Sequence, residues 1–134
     1  MSQALYEEYV HALIDRDWAR LETTLTEDVR REGFDGPRDS TFSRAEYLEY
    51  LARVMDPIES FGYDVHRIVS TDDGQVGLVE VTSRYLEDSV SFGYRMAFVL
   101  TKRAGEERIE NVEIYWKTPE HRLKQETVYD RSSE

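Results

Sequence analysis

Four runs rich in β-branched and aromatic residues fill the chain from Glu59 to Lys117: GYDVHRIVST, QVGLVEVTSRY, VSFGYRMAFVLTK and RIENVEIYWK. The connectors between them, TDDGQ, LEDS and RAGEE, are short enough for hairpins and too short for crossover helices. The spacing therefore predicts an antiparallel sheet, on which everything upstream has to pack.

The upstream half reads as helices. Leu5, Tyr6, Tyr9, Val10, Leu13 and Ile14 recur at helical spacing and leave Glu7, Glu8, His11 and Asp15 opposite. After Asp15-Arg16-Asp17, helical spacing restarts at Trp18, Leu21, Glu22 and Leu25, with Asp17 placed to cap a short second helix. VRREGF reads as a strand, and the Gly36-Pro37 pair marks a loop. Ser43 and Glu46 have capping-box spacing, and Phe42 and Tyr47 have the spacing of a hydrophobic staple. A third helix is predicted from Arg44 to about Met55, ended by Asp56-Pro57.

Hairpin registers separate two sheet faces. With Asp73-Gly74 central in a type I′ turn, Val69 faces Leu78, Arg67 faces Glu80 and His66 faces Val81. With Glu87-Asp88 at the next turn, Glu80 faces Arg95 and Val81 faces Tyr94; the last hairpin pairs Thr101 with Ile109. One face then carries Arg67, Glu80, Arg95 and Glu113 among Val65, Val69, Leu78, Ala97, Val99 and Tyr115. The other carries Ile68, Val79, Val81, Met96, Phe98, Leu100, Val112 and Ile114, and toward one end Asp64, His66, Ser83, Phe92, Tyr94 and Trp116. The second face meets the helices. The first is too apolar for bare solvent and too charged for a core, which predicts a homodimer interface; an exposed cross-strand ion-pair ladder is the alternative.

The length of 134 residues fits one domain over residues 1–118, with the polar stretch 119–134 expected as a partly disordered tail. A formal net charge of -11 argues against nucleic acid and anionic membrane as partners. Zero cysteines exclude disulfides and thiolate metal sites. The start MSQALYEEYV lacks the pattern of a signal peptide, and no apolar run has membrane-spanning length, so the expected location is cytoplasmic.

The opening YVHALIDRDWARLETTLTEDV, with Asp17-Trp18, Leu21, Leu25 and Glu27-Asp28, followed by strands ending in RIENVEIYW, resembles the nuclear transport factor 2-like superfamily from about Leu5 to Lys117. The resemblance implies an α+β fold in which three N-terminal helices pack on a strongly curved antiparallel sheet, forming a cone with an internal pocket. It also implies that the outer sheet face often dimerises. The superfamily includes ketosteroid isomerases, SnoaL-like polyketide cyclases, limonene-epoxide-hydrolase-like enzymes and members without known catalysis, so fold alone does not give function. Of the isomerase residues, Tyr9 matches the first-helix tyrosine. The first-strand aspartate base falls near Gly33, with Glu32 and Asp35 as neighbours, and the later protonated aspartic acid falls near Val99. The cyclase aspartate falls on a last strand that has Glu113, Tyr115 and Trp116, and the Arg-x-Asp element of the epoxide hydrolases is missing.

Among the residues themselves, His66 is the foremost candidate general base, with Asp64 two positions away to set its field or to act through water. A histidine at the sheet rim bonded to backbone is the alternative. Tyr9 is the candidate donor to a ligand carbonyl or enolate, or else a core residue with a satisfied hydroxyl. Phe92, Tyr94 and Trp116 would line a pocket for a flat or polycyclic ligand, and equally fit packing against helices. Glu32 would join the site if it faced inward, but RREG has no clear alternation. His11, His66 and His121 share no ligand spacing, so neither a metal nor another cofactor is expected. The expectation is a protein binding a small apolar or polycyclic ligand, either an isomerase, cyclase or dehydratase working by cofactor-free proton transfer or a non-catalytic ligand-binding, accessory or protein-interaction subunit.

Overall fold

The computed structural model describes residues 2–33, 39–56, 58, 60–87 and 90–116, and the side chains of these except at 2, 60, 61, 85–87, 90–94 and 116. The Gly36-Pro37 loop, Pro57 and the expected tail lie outside the described residues. In chain order the elements are α1 (Ser2–Asp15), α2 (Trp18–Glu22), β1 (Leu25–Glu32), α3 (Arg44–Met55), β2 (Ser60–Ser70), β3 (Val76–Glu87), β4 (Val90–Thr101) and β5 (Ile109–Trp116). No helix among the described residues is long and apolar enough to cross a membrane.

The helix ends are set by local chemistry. Asp17 accepts the Arg20 backbone N–H at 3.1 Å and caps α2, and Ser43 Oγ accepts the Glu46 N–H at 3.1 Å to cap α3. The Glu46 carboxylate turns back to the Phe42 N–H at 2.8 Å rather than to Ser43. Phe42 stays exposed with the Arg30 guanidinium 5.1 Å from its ring centre, while Tyr47 is buried. α1 stops at Arg16, which takes a left-handed φ of 55° that a non-glycine residue adopts only under compensation. The compensation is visible: its guanidinium donates to the Met55 and Ile58 carbonyls at 2.9 and 3.1 Å, tying the end of α1 to the end of α3.

The sheet order is β1-β5-β4-β3-β2, antiparallel throughout except that β1 runs parallel to β5. This corrects the expected cone on two points. The sheet is mixed rather than antiparallel, and it is open rather than strongly curled, with β1 and β2 at opposite edges. Connector lengths constrain only strands adjacent in sequence, whereas β1 reaches β5 across all the intervening elements. The edges are occupied locally instead of closing on each other: Gln3 Nε2 donates to the Ile68 carbonyl of β2 at 2.7 Å, and Thr41 bridges Arg31 of β1 in both directions at 2.9 Å. β1 also starts earlier than VRREGF, at Leu25, because Thr24 and Leu25 already join the β5 ladder through Ile109.

The register of the β2–β3 hairpin near its turn is as expected, with Val69 opposite Leu78 and Arg67 opposite Glu80. The turn itself is a wider loop in which Gly74 has a positive φ of 75° and Asp73 does not, so it is not type I′. The other two hairpins are each displaced by two residues: Glu80 pairs with Ala97 and Thr101 with Asn111. A two-residue slip leaves every side chain on its own face, which is why the two-face division survives along β3, β4 and β5. Along β2 it does not. A bulge between Val65 and Arg67 makes Val65 the partner of Val81 and leaves His66 as the extra residue.

Helices and inner face enclose one apolar core, with Tyr6, Tyr9 and Val10 of α1 and Tyr47 of α3 against Val79, Val81, Phe98 and Leu100. Tyr6 is the closest contact. Its ring fills the space where a Cβ at Gly77 would lie, and its hydroxyl donates to the Gly74 carbonyl at 2.8 Å. Gly77→Ala should therefore destabilise the fold by about 1–3 kcal/mol in denaturant unfolding, the range for overpacking a core. Gly62→Ala, built into open space, should leave stability within about 0.5 kcal/mol.

Candidate functional site

Alternation along β1 decides what enters the interior: Val29 and Arg31 are buried, Arg30 and Glu32 are exposed. Glu32 thus faces outward, 3.4 Å from Arg30. The residue that faces inward is Arg31, 5% exposed, with its guanidinium carbon 4.4 Å from the Tyr50 ring centre and 5.5 Å from that of Tyr47. One of its terminal nitrogens donates to the Asp39 carbonyl, and the buried Nε has no hydrogen-bond partner.

Beside it, helical spacing brings Tyr9 of α1 against Tyr47 of α3. Their hydroxyls lie 2.5 Å apart, and the residues are 0% and 1% exposed. The bulge turns the lower half of β2 over, so that Tyr63, paired opposite the buried Ser83, packs edge-on against Phe98 with ring centres 5.7 Å apart. Tyr9 meets the same Phe98 ring edge-on at 6.4 Å. The result is a group of phenols and one guanidinium between the helices and the inner sheet face.

The electrostatics are opposed. Burial raises the pKa of Tyr9 well above that of a free phenol, and the adjacent Tyr47 hydroxyl adds to the shift. Burial likewise raises Tyr47 and Tyr63, while the positive charge of Arg31 acts in the other direction on all of these phenols. At neutral pH they are hydrogen-bond donors, not bases. Taking a guanidinium out of water costs several kcal/mol, and cation–π contacts return about 2 kcal/mol each when desolvated. Arg31 meets this cost through the Asp39 carbonyl, the Tyr47 hydroxyl and two aromatic faces, with Nε left unpartnered.

The other expected residues are elsewhere. His66 sits on the bulge, exposed, with Nε2 2.7 Å from Thr82 Oγ1. Asp64 is also exposed, held by the Arg84 fork at 2.8 and 2.9 Å. The inward facing expected for both is reversed by that extra residue, so the structure does not bring them together with Tyr9. For Phe92, Tyr94 and Trp116 the described backbone gives register positions, opposite Tyr85, Ser83 and Met96; their side chains lie outside the described set. Among the described residues, no group of three or more His, Asp or Glu side chains is arranged to hold a metal ion. A surface cleft of about 560 Å³ between β1, α3 and the β4–β5 turn contains Arg44, Arg103 and Arg108. Its charges pair with their acidic neighbours, Arg103 with Asp28 and Glu110, Arg108 with Glu106, and Arg44 with Glu22.

Sequence reasoning missed Arg31, Tyr47 as a polar partner, and Tyr63. The alternation with Val29 was the available signal for Arg31. Nothing in the sequence marked the bulge that turns Tyr63 inward.

A family model described as SnoaL-like domain matches residues 6–112. The chain belongs to that family. No curated protein matches this SnoaL-like domain. Among solved structures, it is similar to a protein with ketosteroid isomerase-like fold from Catenulispora acidiphila DSM 44928, in complex with trimethylamine, at 18% identity and TM-score 0.72 over 90% of each chain. A candidate SnoaL-like polyketide cyclase from Shewanella denitrificans OS-217 matches at 11% identity and TM-score 0.78, covering 95% of this chain and 97% of that one. An LEH-like epoxide hydrolase from M. tuberculosis matches at 17% identity and TM-score 0.73, covering 96% and 88%. At these identities the likeness carries the fold.

The phenol shifts make a pH dependence. Tyr6 is pushed up to about 12 by burial and by the nearby Asp73 charge, from an ordinary value of 10.0. A native chain that keeps phenolic protons which the unfolded chain has released loses stability as pH rises. Tyr6's contribution is fully present below pH 10 and is lost between 10 and 12. The unfolding free energy of the SnoaL-like domain should be insensitive to phenol ionisation below pH 10 and fall through that window, and Tyr6→Phe should flatten the fall, as read by urea unfolding at stepped pH.

Proposed function

We propose that this SnoaL-like domain binds a small, largely apolar or polycyclic molecule between its helical layer and the inner face of its sheet. The observation that carries this is the Tyr9–Tyr47 hydroxyl pair at 2.5 Å beside Arg31, polar donors gathered in an otherwise apolar interior. A ligand oxygen inserted between the two hydroxyls would accept from both, and charge developing on it would be stabilised by donors already in place. Chemistry on such a ligand would be cofactor-free proton transfer of the isomerase, cyclase or dehydratase kind, with Tyr9 and Tyr47 as oxyanion donors. The trimethylamine complex of the Catenulispora protein and the M. tuberculosis epoxide hydrolase support a small-molecule role on this fold without selecting a reaction.

His66 and Asp64, on the solvent side of the sheet, fit a structural role at the bulge better than that of a base in this site. Non-catalytic binding is therefore the second reading: the interior phenols are held protonated, and Arg31 is a cation. Calorimetric titration with 2-naphthol and 1-tetralone tests the proposal. Saturable binding of at least one is expected, weakened by roughly three- to tenfold in Tyr9→Phe and Tyr47→Phe, the worth of one hydrogen bond. Absence of binding by both compounds would reject it.

The proposal includes a second copy of the chain as partner. On the outer face Val69 and Tyr115 are 40% and 50% exposed, around the Arg67–Glu80 ion pair at 3.3 Å. A self-complementary association would cover this apolar area and let Arg67 meet the partner copy's acidic side chains. Sedimentation equilibrium should give a dimer for the wild type and a monomer for Val69→Asp; a monomeric wild type at micromolar concentration would exclude the association.

A further inference from the structure

Arg31 is a buried cation whose chemistry the site described above does not use up. Its carbon chain descends from β1 into the core, it is 5% exposed, and no carboxylate lies within ion-pair distance of it among the described residues. The neighbours it does have are a main-chain carbonyl, the Tyr47 hydroxyl and the faces of Tyr47 and Tyr50. These are dipoles and quadrupoles, not a counter-charge. Nε, buried and without an acceptor, is the second sign that something is missing. The buried Asp39 carboxylate lies against Gly33 and forms no ion pair with Arg31, and a guanidinium cannot discharge itself by losing its proton as a buried lysine would. The surface arginines of the charged cleft are paired with carboxylates, which singles out the buried one.

We propose that Arg31 is the counter-ion for the ligand, so that the molecule taken up between α1, α3 and the sheet is a flat apolar acid, a carboxylic acid or acidic enol, bound as its oxyanion. This rests on the ligand-binding reading above and specifies its substrate class. The anionic oxygen would accept from Arg31 Nε and from the Tyr9–Tyr47 pair, and the apolar body would lie against Phe98 and Tyr63. The chain's net charge of -11 repels anions at long range, so selectivity would come from this one buried cation after desolvation and not from steering.

The test compares acids with neutral look-alikes on the intact protein at neutral pH: 2-naphthoate against 2-naphthamide, and 2-hydroxy-1,4-naphthoquinone against 1,4-naphthoquinone. In the wild type at least one acid should bind at least about tenfold more tightly than its neutral partner, and the pair that shows the preference distinguishes a carboxylate site from an enolate site. Arg31→Met should remove the preference or invert it, while Arg31→Lys should retain part of it. A melting temperature for Arg31→Met at or above that of the wild type would support the assignment, since a charge kept only for structure is not improved by removal. If Arg31→Met does not fold, the wild-type comparison still decides. Equal or weaker binding of both acids overturns the counter-ion assignment alone, and no binding of any of the four compounds overturns the pocket reading together with it.

Discussion

The placement of α1 on the sheet depends on one ring. Tyr6 occupies the space above Gly77 that any other residue would fill, and its hydroxyl is tied to Gly74 in the turn beyond. With that end fixed, the pitch of the helix carries Tyr9, Val10 and Leu13 inward over the sheet. The far end is fixed as well, because Arg16 leaves the helix with positive φ and reaches the carbonyls that close α3. α1 is thus held at both ends and α3 is joined to it at one, and the Tyr9–Tyr47 contact lies between them. The polar centre is therefore a consequence of how the helices are anchored and not an accident of packing.

The second constraint is the single extra residue in β2. A strand has a strict two-residue alternation, so one insertion exchanges its faces from that point on. Above the bulge, Ile68 packs on the core; below it, Tyr63 does, and Asp64 and Arg84 pair in solvent. His66 is the inserted residue and bonds sideways to Thr82. One backbone irregularity thus decides which of the chemically capable residues of this strand share an interior with Tyr9 and which do not.

Much of this fold was legible because its signals are local. Caps at Asp17 and Ser43, the break at Arg16 and the apolar spacing of α1 each act within one turn of helix. Displacements of two residues in the later hairpins did no harm, since face assignment depends only on whether the register is odd or even. What failed was non-local or non-periodic. The parallel pairing of β1 with β5 is made between segments far apart in sequence, and the openness of the sheet follows from what occupies its edges, Gln3 on β2 and Thr41 on β1. The candidate site followed the same division. Tyr9 was visible from helical spacing, whereas Glu32 drew attention on β1 for its carboxylate although Arg31 had the parity of buried Val29.

That parity carries the energetic argument furthest. β1 places Leu25, Val29 and Arg31 on the core side, and an aliphatic residue at position 31 would complete a conventional hydrophobic strand. Replacing incompletely paired buried charges with apolar groups of similar volume is often neutral or stabilising, so stability alone gives little reason for a guanidinium there. Sites where a local rule is broken without structural gain tend to be sites of function, because the rest of the fold has to supply the stability they forgo. In this chain the supply is identifiable: capped helices, Arg16 across the helix ends, Tyr6 on Gly77, and edges closed by side-chain and single-bridge contacts. Arg31, with its buried Nε unpartnered, is accordingly where we propose that a ligand meets this SnoaL-like domain, in preference to the residues conspicuous for their acid–base chemistry.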